Sequence, residues 1–86
     1  MTRLPADPQP IAITLSSQCR PLRLSWRQHI FVIEQITDEW RVETDWWLTG
    51  GVQRRHYFTV TTVQGALFVI YQDLLADQWF LEQIYD

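Results

Sequence analysis

The sequence predicts an all-β fold, a small antiparallel barrel or sandwich of about six strands. Three observations favour this fold class. Short runs alternate apolar and polar residues, turn-forming residues separate the runs, and aromatic residues make up 14% of the 86-residue chain. Aromatic side chains bury about 150–250 Å² each, so they can build a core in a short chain. We expect a disordered lead-in over residues 1–10 and a single β domain over residues 11–86.

The first half of the domain carries three strand patterns. Residues 11–15 alternate in polarity, and residues 22–26 repeat the pattern after Pro21. Residues 29–36 are apolar on both faces, which is typical of a central strand. Arg27 and Gln28 stand where a tight turn is needed, although such turns favour Gly or Asn.

Residues 40–48 fit two interpretations. Thr37 resembles a helix N-cap and Gly50 a residue just past a helix C-terminus, so a short helix over residues 38–48 would make the fold α+β. Polar residues interrupt the apolar stripe of that helix, however, whereas a period-two face is unbroken. That face consists of Trp40, Val42, Thr44, Trp46 and Leu48. We therefore favour a strand.

The hairpin that follows has a predicted register. Residues 53–62 form the next strand pattern, with Phe58 and Val60 on one face and Tyr57 and Thr59 on the other. A three-residue loop over residues 49–51 gives one apolar face and one salt-bridged face. The resulting pairs are Trp40 with Val60, Val42 with Phe58, and Asp45 with Arg55.

Two further strand patterns complete the sheet, at residues 66–71 and 79–85. Leu67, Val69 and Tyr71 alternate in the first of them, and we expect these three side chains to continue the face of Phe58 and Val60.

Composition argues against several classes of protein. The net charge of −3 disfavours a nonspecific nucleic-acid binder, which usually has a basic surplus. Cys19 is the single cysteine, so neither an intramolecular disulfide nor a cysteine-based metal site can form. The first ten residues hold no apolar signal-peptide core, and no apolar run reaches the roughly 20 residues that span a bilayer. We expect a cytoplasmic protein with no membrane association.

The sequence does not predict an enzyme. His29 and His56 lie far apart, no nucleophile motif or glycine-rich phosphate loop is present, and no catalytic or cofactor-binding residue is indicated. Glu43 and Asp45 would lie about 7 Å apart on one strand face. Because Arg41 shares that face and no calcium-loop pattern surrounds them, we expect no metal site.

One candidate recognition surface emerges from the aromatic and basic residues. Trp47 falls on the polar face beside Arg41, whereas Trp26, Trp40, Trp46 and Trp79 are predicted to be core residues. Arg54 and Arg55 follow the hairpin loop and would lie near Trp47. The candidate surface is therefore Trp47, Arg54, Arg55 and Arg41. Alternatively, the two arginines of the second strand pair with Glu43 and Asp45 across the ladder.

The spacing of aromatic residues supports a resemblance that covers about residues 22–86. It is carried by Trp26, Val32-Ile33-Glu34-Gln35-Ile36, Trp40-Arg41, Trp46-Trp47, Arg55, Tyr57-Phe58-Thr59-Val60, Leu67, Tyr71-Gln72-Asp73, Trp79-Phe80-Leu81 and Tyr85-Asp86. This pattern resembles a small bacterial domain of unknown function, found alone or towards the C-terminal side of Y-family-polymerase-like proteins of mutagenic DNA repair. The resemblance implies a helper or interaction module associated with DNA repair, and no catalytic residues.

Two functions remain open at this point. The first is a non-catalytic interaction or accessory module that binds a protein partner or a second copy of itself, because several strands are apolar on both faces and a small sheet has one core face. The second is single-stranded nucleic-acid binding through Trp47, Arg54 and Arg55.

Overall fold

The computed structural model describes residues 2–3, 9–44 and 52–85, and all regular structure in them is β-strand. The strands are β1 (Thr2–Arg3), β2 (Gln9–Leu15), β3 (Pro21–Trp26), β4 (His29–Thr44), β5 (Gln53–Thr62), β6 (Leu67–Asp73) and β7 (Gln78–Tyr85). The predicted all-β class is confirmed. The alternative helix over residues 38–48 is wrong for residues 38–44, which belong to β4.

The sheet closes on itself as a six-stranded antiparallel barrel. Strands β2 to β7 pair in chain order, and β7 pairs with β6 on one side and with β2 on the other. The two residues of β1 extend the same edge of β7 next to β2. Closure removes the free edges at which an open sheet would aggregate.

Strand β4 is 16 residues long and serves two neighbours in turn. Its first residues, His29 to Val32, pair with β3, and the remainder pairs with β5. Two bulges, at Glu34 and Thr37, interrupt the ladder with β5. Bulges bend and twist a strand, so β4 turns from one neighbour to the other without ending. The sequence pattern predicts two strands here because the bulges break its alternation.

The observed register of the β4–β5 hairpin differs from the predicted one. Trp40 lies opposite Tyr57, and Val42 lies opposite Arg55. The predicted partners of Trp40, Val42 and Arg55 are therefore wrong. The last described pair joins Thr44 to Gln53, and the predicted three-residue loop over residues 49–51 lies outside the described residues.

The turn between β3 and β4 is as short as predicted. Trp26 pairs with His29, and the two residues between them, Arg27 and Gln28, have φ values of 50° and 66°. Positive φ at both central residues is the geometry of a type I′ hairpin turn. Here neither residue is the Gly or Asn that this geometry favours.

The barrel interior is filled by apolar side chains. The buried members of this core are Leu24, Phe58, Val60, Phe68, Ile70, Leu81 and Ile84, with Trp26 and Trp79 packed against them. The predicted faces of β5 are confirmed, since Phe58 and Val60 point inwards. The predicted face of β6 is wrong, because Phe68 and Ile70 lie opposite Val60 and Phe58.

Trp40 is not a core residue, so the prediction that it packs in the core is wrong. Its side chain lies on the outside of the barrel, and the residue is 37% exposed. Trp46, another predicted core residue, lies outside the described residues.

Candidate functional site

A row of four aromatic rings crosses the outer face of the barrel, contributed by Trp40, Tyr57, Tyr71 and Phe80. Each ring belongs to the next strand from β4 to β7, and each residue is the direct ladder partner of its neighbour. The ring centroids are 5.2, 5.0 and 5.3 Å apart along the row. We call this set the outer aromatic row.

The centre of the outer aromatic row is buried although it lies outside the barrel. Tyr57 and Tyr71 are 7% and 3% exposed, and Val69 joins them in a second apolar cluster to which Val42 contributes. Cross-strand aromatic pairs stabilise a sheet on the face that they cover. The outer face of these four strands therefore has a small core of its own.

Arg55 covers the middle of the row. Its guanidinium lies 4.6 Å from the centroid of the Tyr71 ring, and its Nη1 donates a hydrogen bond of 3.3 Å to the Tyr57 hydroxyl. That hydrogen bond raises the pKa of Arg55, against the lowering effect of burial. Burial raises the pKa of Tyr71; the positive charge of Arg55 opposes this, and Tyr57, Glu82 and Asp73 add to it.

A groove of about 500 Å³ lies beside the row on the same outer face. It is lined by Trp40, Thr59, Leu67, Val69, Glu82, Gln83 and Tyr85. We call it the outer groove.

The ladder register explains how distant residues meet in the outer groove. Thr59 lies opposite Val69, and Val69 lies opposite Gln83, so these residues form its floor across β5, β6 and β7. Trp40 and Tyr85 come from the outermost of the four strands, and each is 37% exposed. The Tyr85 hydroxyl donates a hydrogen bond to the Gln83 side-chain oxygen.

A polar cluster occupies the opposite face of the β4–β5 ladder. Glu39 Oε2 lies 2.6 Å from His56 Nε2, and Arg20 Nη2 lies 3.1 Å from Glu39 Oε1. Burial pushes the pKa of Glu39 upwards, but the hydrogen bonds and charges of Arg20 and His56 outweigh it and hold that pKa below its ordinary value. The His56 ring also packs 4.3 Å from Phe58. The cluster ties the turn before β3 to β4 and β5.

The structure separates the residues of the predicted recognition surface. Arg54 and Arg55 are consecutive in β5, so they point to opposite faces. Arg55 lies over the outer aromatic row, whereas the exposed Arg54 lies opposite Glu43, on the face that Arg41 shares. Trp47, the centre of the predicted surface, lies outside the described residues.

Neither a metal cluster nor a membrane-spanning helix occurs in the described part of the chain. Within residues 9–44 and 52–85, no three His, Cys, Asp or Glu side chains are grouped so that they could hold a metal ion. None of the described residues forms a helix long and apolar enough to cross a membrane.

Sequence reasoning missed the residues of the outer groove. One signal pointed to them: Leu67, Val69 and Tyr71 form an apolar face on a strand whose other face, Phe68 and Ile70, is apolar as well. A strand of this kind is covered on both sides. Glu82 and Gln83 gave no such signal, because a bulge in the β6–β7 ladder determines their direction.

Comparison with known proteins identifies the family. No curated protein and no solved structure matches the chain. Residues 6–86 match a domain of unknown function, DUF6504, in agreement with the resemblance to a small domain of unknown function. Because the match spans almost the whole sequence, this protein belongs to the DUF6504 family.

Proposed function

We propose that this protein is a non-catalytic interaction module that binds a segment of a partner protein in the outer groove. The observation that carries the proposal is an apolar groove of about 500 Å³ on the outside of a closed barrel, with Trp40 and Tyr85 partly exposed at its sides. A barrel whose interior is already filled does not need this outer apolar surface for its core.

The residues of the outer groove are of the types that anchor protein partners. Tryptophan and tyrosine dominate binding energy at protein interfaces when they are seated in a packed surround. Trp40 is held by its stack on Tyr57, and Tyr85 by its hydrogen bond to Gln83. Side chains held in this way lose little conformational entropy when a partner binds.

We further propose that the partner protein acts in DNA repair. The support is the sequence resemblance to segments of Y-family-polymerase-like repair proteins, and proteins of that class are the first partners to test.

The experiment selects binders from a random peptide library and maps them on the isotope-labelled protein by chemical-shift perturbation. We expect perturbed amides at Trp40, Thr59, Val69 and Gln83. Gln83→Arg places a long charged side chain in the groove and should abolish binding. The matched control is Thr14→Arg, at an exposed position on β2, which should leave binding unchanged.

Three outcomes would overturn the proposal. In the first, no selected peptide perturbs the groove. In the second, a single-stranded oligothymidylate perturbs Arg54 and Arg55, as expected for a nucleic-acid binder. In the third, light scattering shows a dimer whose contact maps to the exposed side chains of Ile30, Val32 and Val63 on another face.

A further inference from the structure

The geometry points to a basic partner segment: we propose that an arginine or lysine side chain of the bound peptide lies over the Trp40 ring and pairs with Glu82. This inference rests on the proposed function and adds the chemistry of the partner to it.

The protein itself shows how this surface holds a guanidinium. Arg55 lies over the ring of Tyr71 at 4.6 Å and donates a hydrogen bond to the Tyr57 hydroxyl. Its ladder partner on β6 is Asp73, whose negative charge acts on both Arg55 and Tyr71. An aromatic face together with a carboxylate is a favourable setting for a cation.

The β4 end of the outer aromatic row offers another aromatic ring, over which no guanidinium of the described residues lies. Trp40 stacks on Tyr57 through one ring face and remains 37% exposed. Among the described residues, the guanidinium groups that lie over aromatic rings belong to Arg27 and Arg55, over Trp26 and Tyr71. Tryptophan is the ring that attracts cations most strongly.

The charges around the outer groove are complementary to a cation. Of the described residues that line it, Glu82 carries a charge and none is basic. Glu82 also lies close enough to the row for its charge to act on Tyr71. Asp38 lies opposite Thr59 on β4, and its Oδ1 accepts a hydrogen bond from the Glu39 backbone N–H. A partner cation in the groove would therefore meet the negative charge of Glu82 and no basic lining residue among those described.

The apolar floor determines what surrounds the basic residue in the partner. Leu67 and Val69 line the groove next to Glu82, and they offer contacts to aliphatic side chains of the bound segment. An acidic or phosphorylated segment would place like charges against Glu82, which is unfavourable.

The experiment compares three capped pentapeptides with the order leucine, serine, X, serine, leucine, where X is arginine, citrulline or glutamate. Citrulline keeps the shape of arginine without its charge. Nuclear magnetic resonance titration of the full chain gives each dissociation constant and the site of binding. We expect the arginine peptide to bind in the outer groove about tenfold more tightly than the citrulline peptide, and the glutamate peptide to bind most weakly.

Two groove variants and one control locate the residues responsible for the preference. Glu82→Gln should remove most of the preference for arginine over citrulline while both peptides still bind in the groove. Glu34→Gln, at an exposed acidic position away from the groove, should leave the preference unchanged. Trp40→Leu should weaken the arginine peptide more than the citrulline peptide.

The outcomes separate the two proposals. If arginine and citrulline peptides bind in the groove with equal affinity, or the glutamate peptide binds most tightly, the inference of a basic partner is wrong and the proposed function stands. A second outcome is that the three pentapeptides bind elsewhere or fail to bind, while library peptides still bind in the groove. In that case the inference of a basic partner is wrong and the proposed function stands. If neither the pentapeptides nor the library peptides bind in the outer groove, both proposals fail.

Discussion

Trp40 stacks on Tyr57 with the ring centroids 5.2 Å apart and the ring planes 4° from parallel. This contact joins the exposed wall of the outer groove to the buried centre of the outer aromatic row. The two rings therefore differ in what they contribute. Tyr57 has mainly a structural role, whereas the exposed surface of Trp40 is the part that we propose binds a partner.

The first prediction separates these two roles by stability. Tyr57→Ala removes a ring that is 7% exposed and contacts two other rings, so it should lower the free energy of unfolding by about 3–5 kcal/mol. Trp40→Ala loses one stack at a partly exposed site and should cost about 1–2 kcal/mol. Urea denaturation measures both. Equal losses of unfolding free energy in the two variants would contradict this difference in role between Tyr57 and Trp40.

The second prediction concerns the ionisation of Tyr71. Arg55→Gln removes the positive charge that opposes the effect of burial, so the pKa of Tyr71 should rise further. Because the folded-state pKa lies above the unfolded value, the stability from neutral Tyr71 is complete below the unfolded pKa and is lost as pH rises through the folded pKa. Ultraviolet absorbance titration of the phenolate measures the shift, with Tyr71→Phe for assignment.

The control for that titration is Arg54→Gln. Arg54 is the neighbour of Arg55 in β5 but points to the other face, so its loss should leave the titration of Tyr71 unchanged. An equal shift in the two variants would mean that Arg55 acts through net charge and not through its contact with the ring.

The third prediction concerns acid stability at the Glu39 cluster. The pKa of Glu39 is lowered in the folded state, so its contribution to stability is present above the unfolded pKa and is lost as pH falls through the folded pKa. Glu39→Gln should lower stability at neutral pH by about 0.2–1 kcal/mol, as expected for an exposed ion pair. Below the folded pKa the variant and the parent should be equally stable.

Guanidinium chloride would screen the charges, so urea denaturation at neutral and acidic pH is the suitable measurement. Glu34→Gln is the matched control, because Glu34 is an exposed carboxylate on the same strand. A pH-independent loss in Glu39→Gln would show that the side chain acts through packing.

The fourth prediction concerns the turn between β3 and β4. Gln28 has a φ of 66°, a conformation that costs residues other than glycine about 1–2 kcal/mol. Gln28→Gly should therefore stabilise the protein by about 0.5–1 kcal/mol after the entropic cost of glycine is subtracted. Arg27, which lies 4.7 Å over the Trp26 ring, is kept. Gln18→Gly, at an exposed turn position whose φ is not positive, should give no gain in thermal or urea denaturation.

Local pattern was sufficient for some parts of the fold and insufficient for others. The faces of β5 follow from strict alternation between Tyr57 and Val60, and the turn at Arg27 and Gln28 follows from the runs on either side of it. The pairs of the β4–β5 ladder do not follow from local pattern, because bulges at Glu34 and Thr37 interrupt the ladder and alternation alone does not select one register. A bulge depends on the partner strand, which a single run of residues does not reveal.

The candidate site shows the same division. The aromatic content and the strands apolar on both faces indicated a second covered surface, but the groove was not predicted. Its walls, Trp40 and Tyr85, lie far apart in the chain and face the same groove because β4 and β7 lie on either side of β5 and β6. The adjacent Arg54 and Arg55 look like one basic cluster in sequence, yet the pleat sends them to opposite faces.

The sequence by itself determined the all-β class, most of the strands and the apolar face of β5, because these depend on the period of local alternation. The tertiary structure alone decided that the sheet closes into a barrel, that Trp40 lies outside the core, and that Glu82 faces the outer groove. These features depend on which strands become neighbours and in what register. That choice is set by the packing of the whole barrel and is not encoded in any one strand.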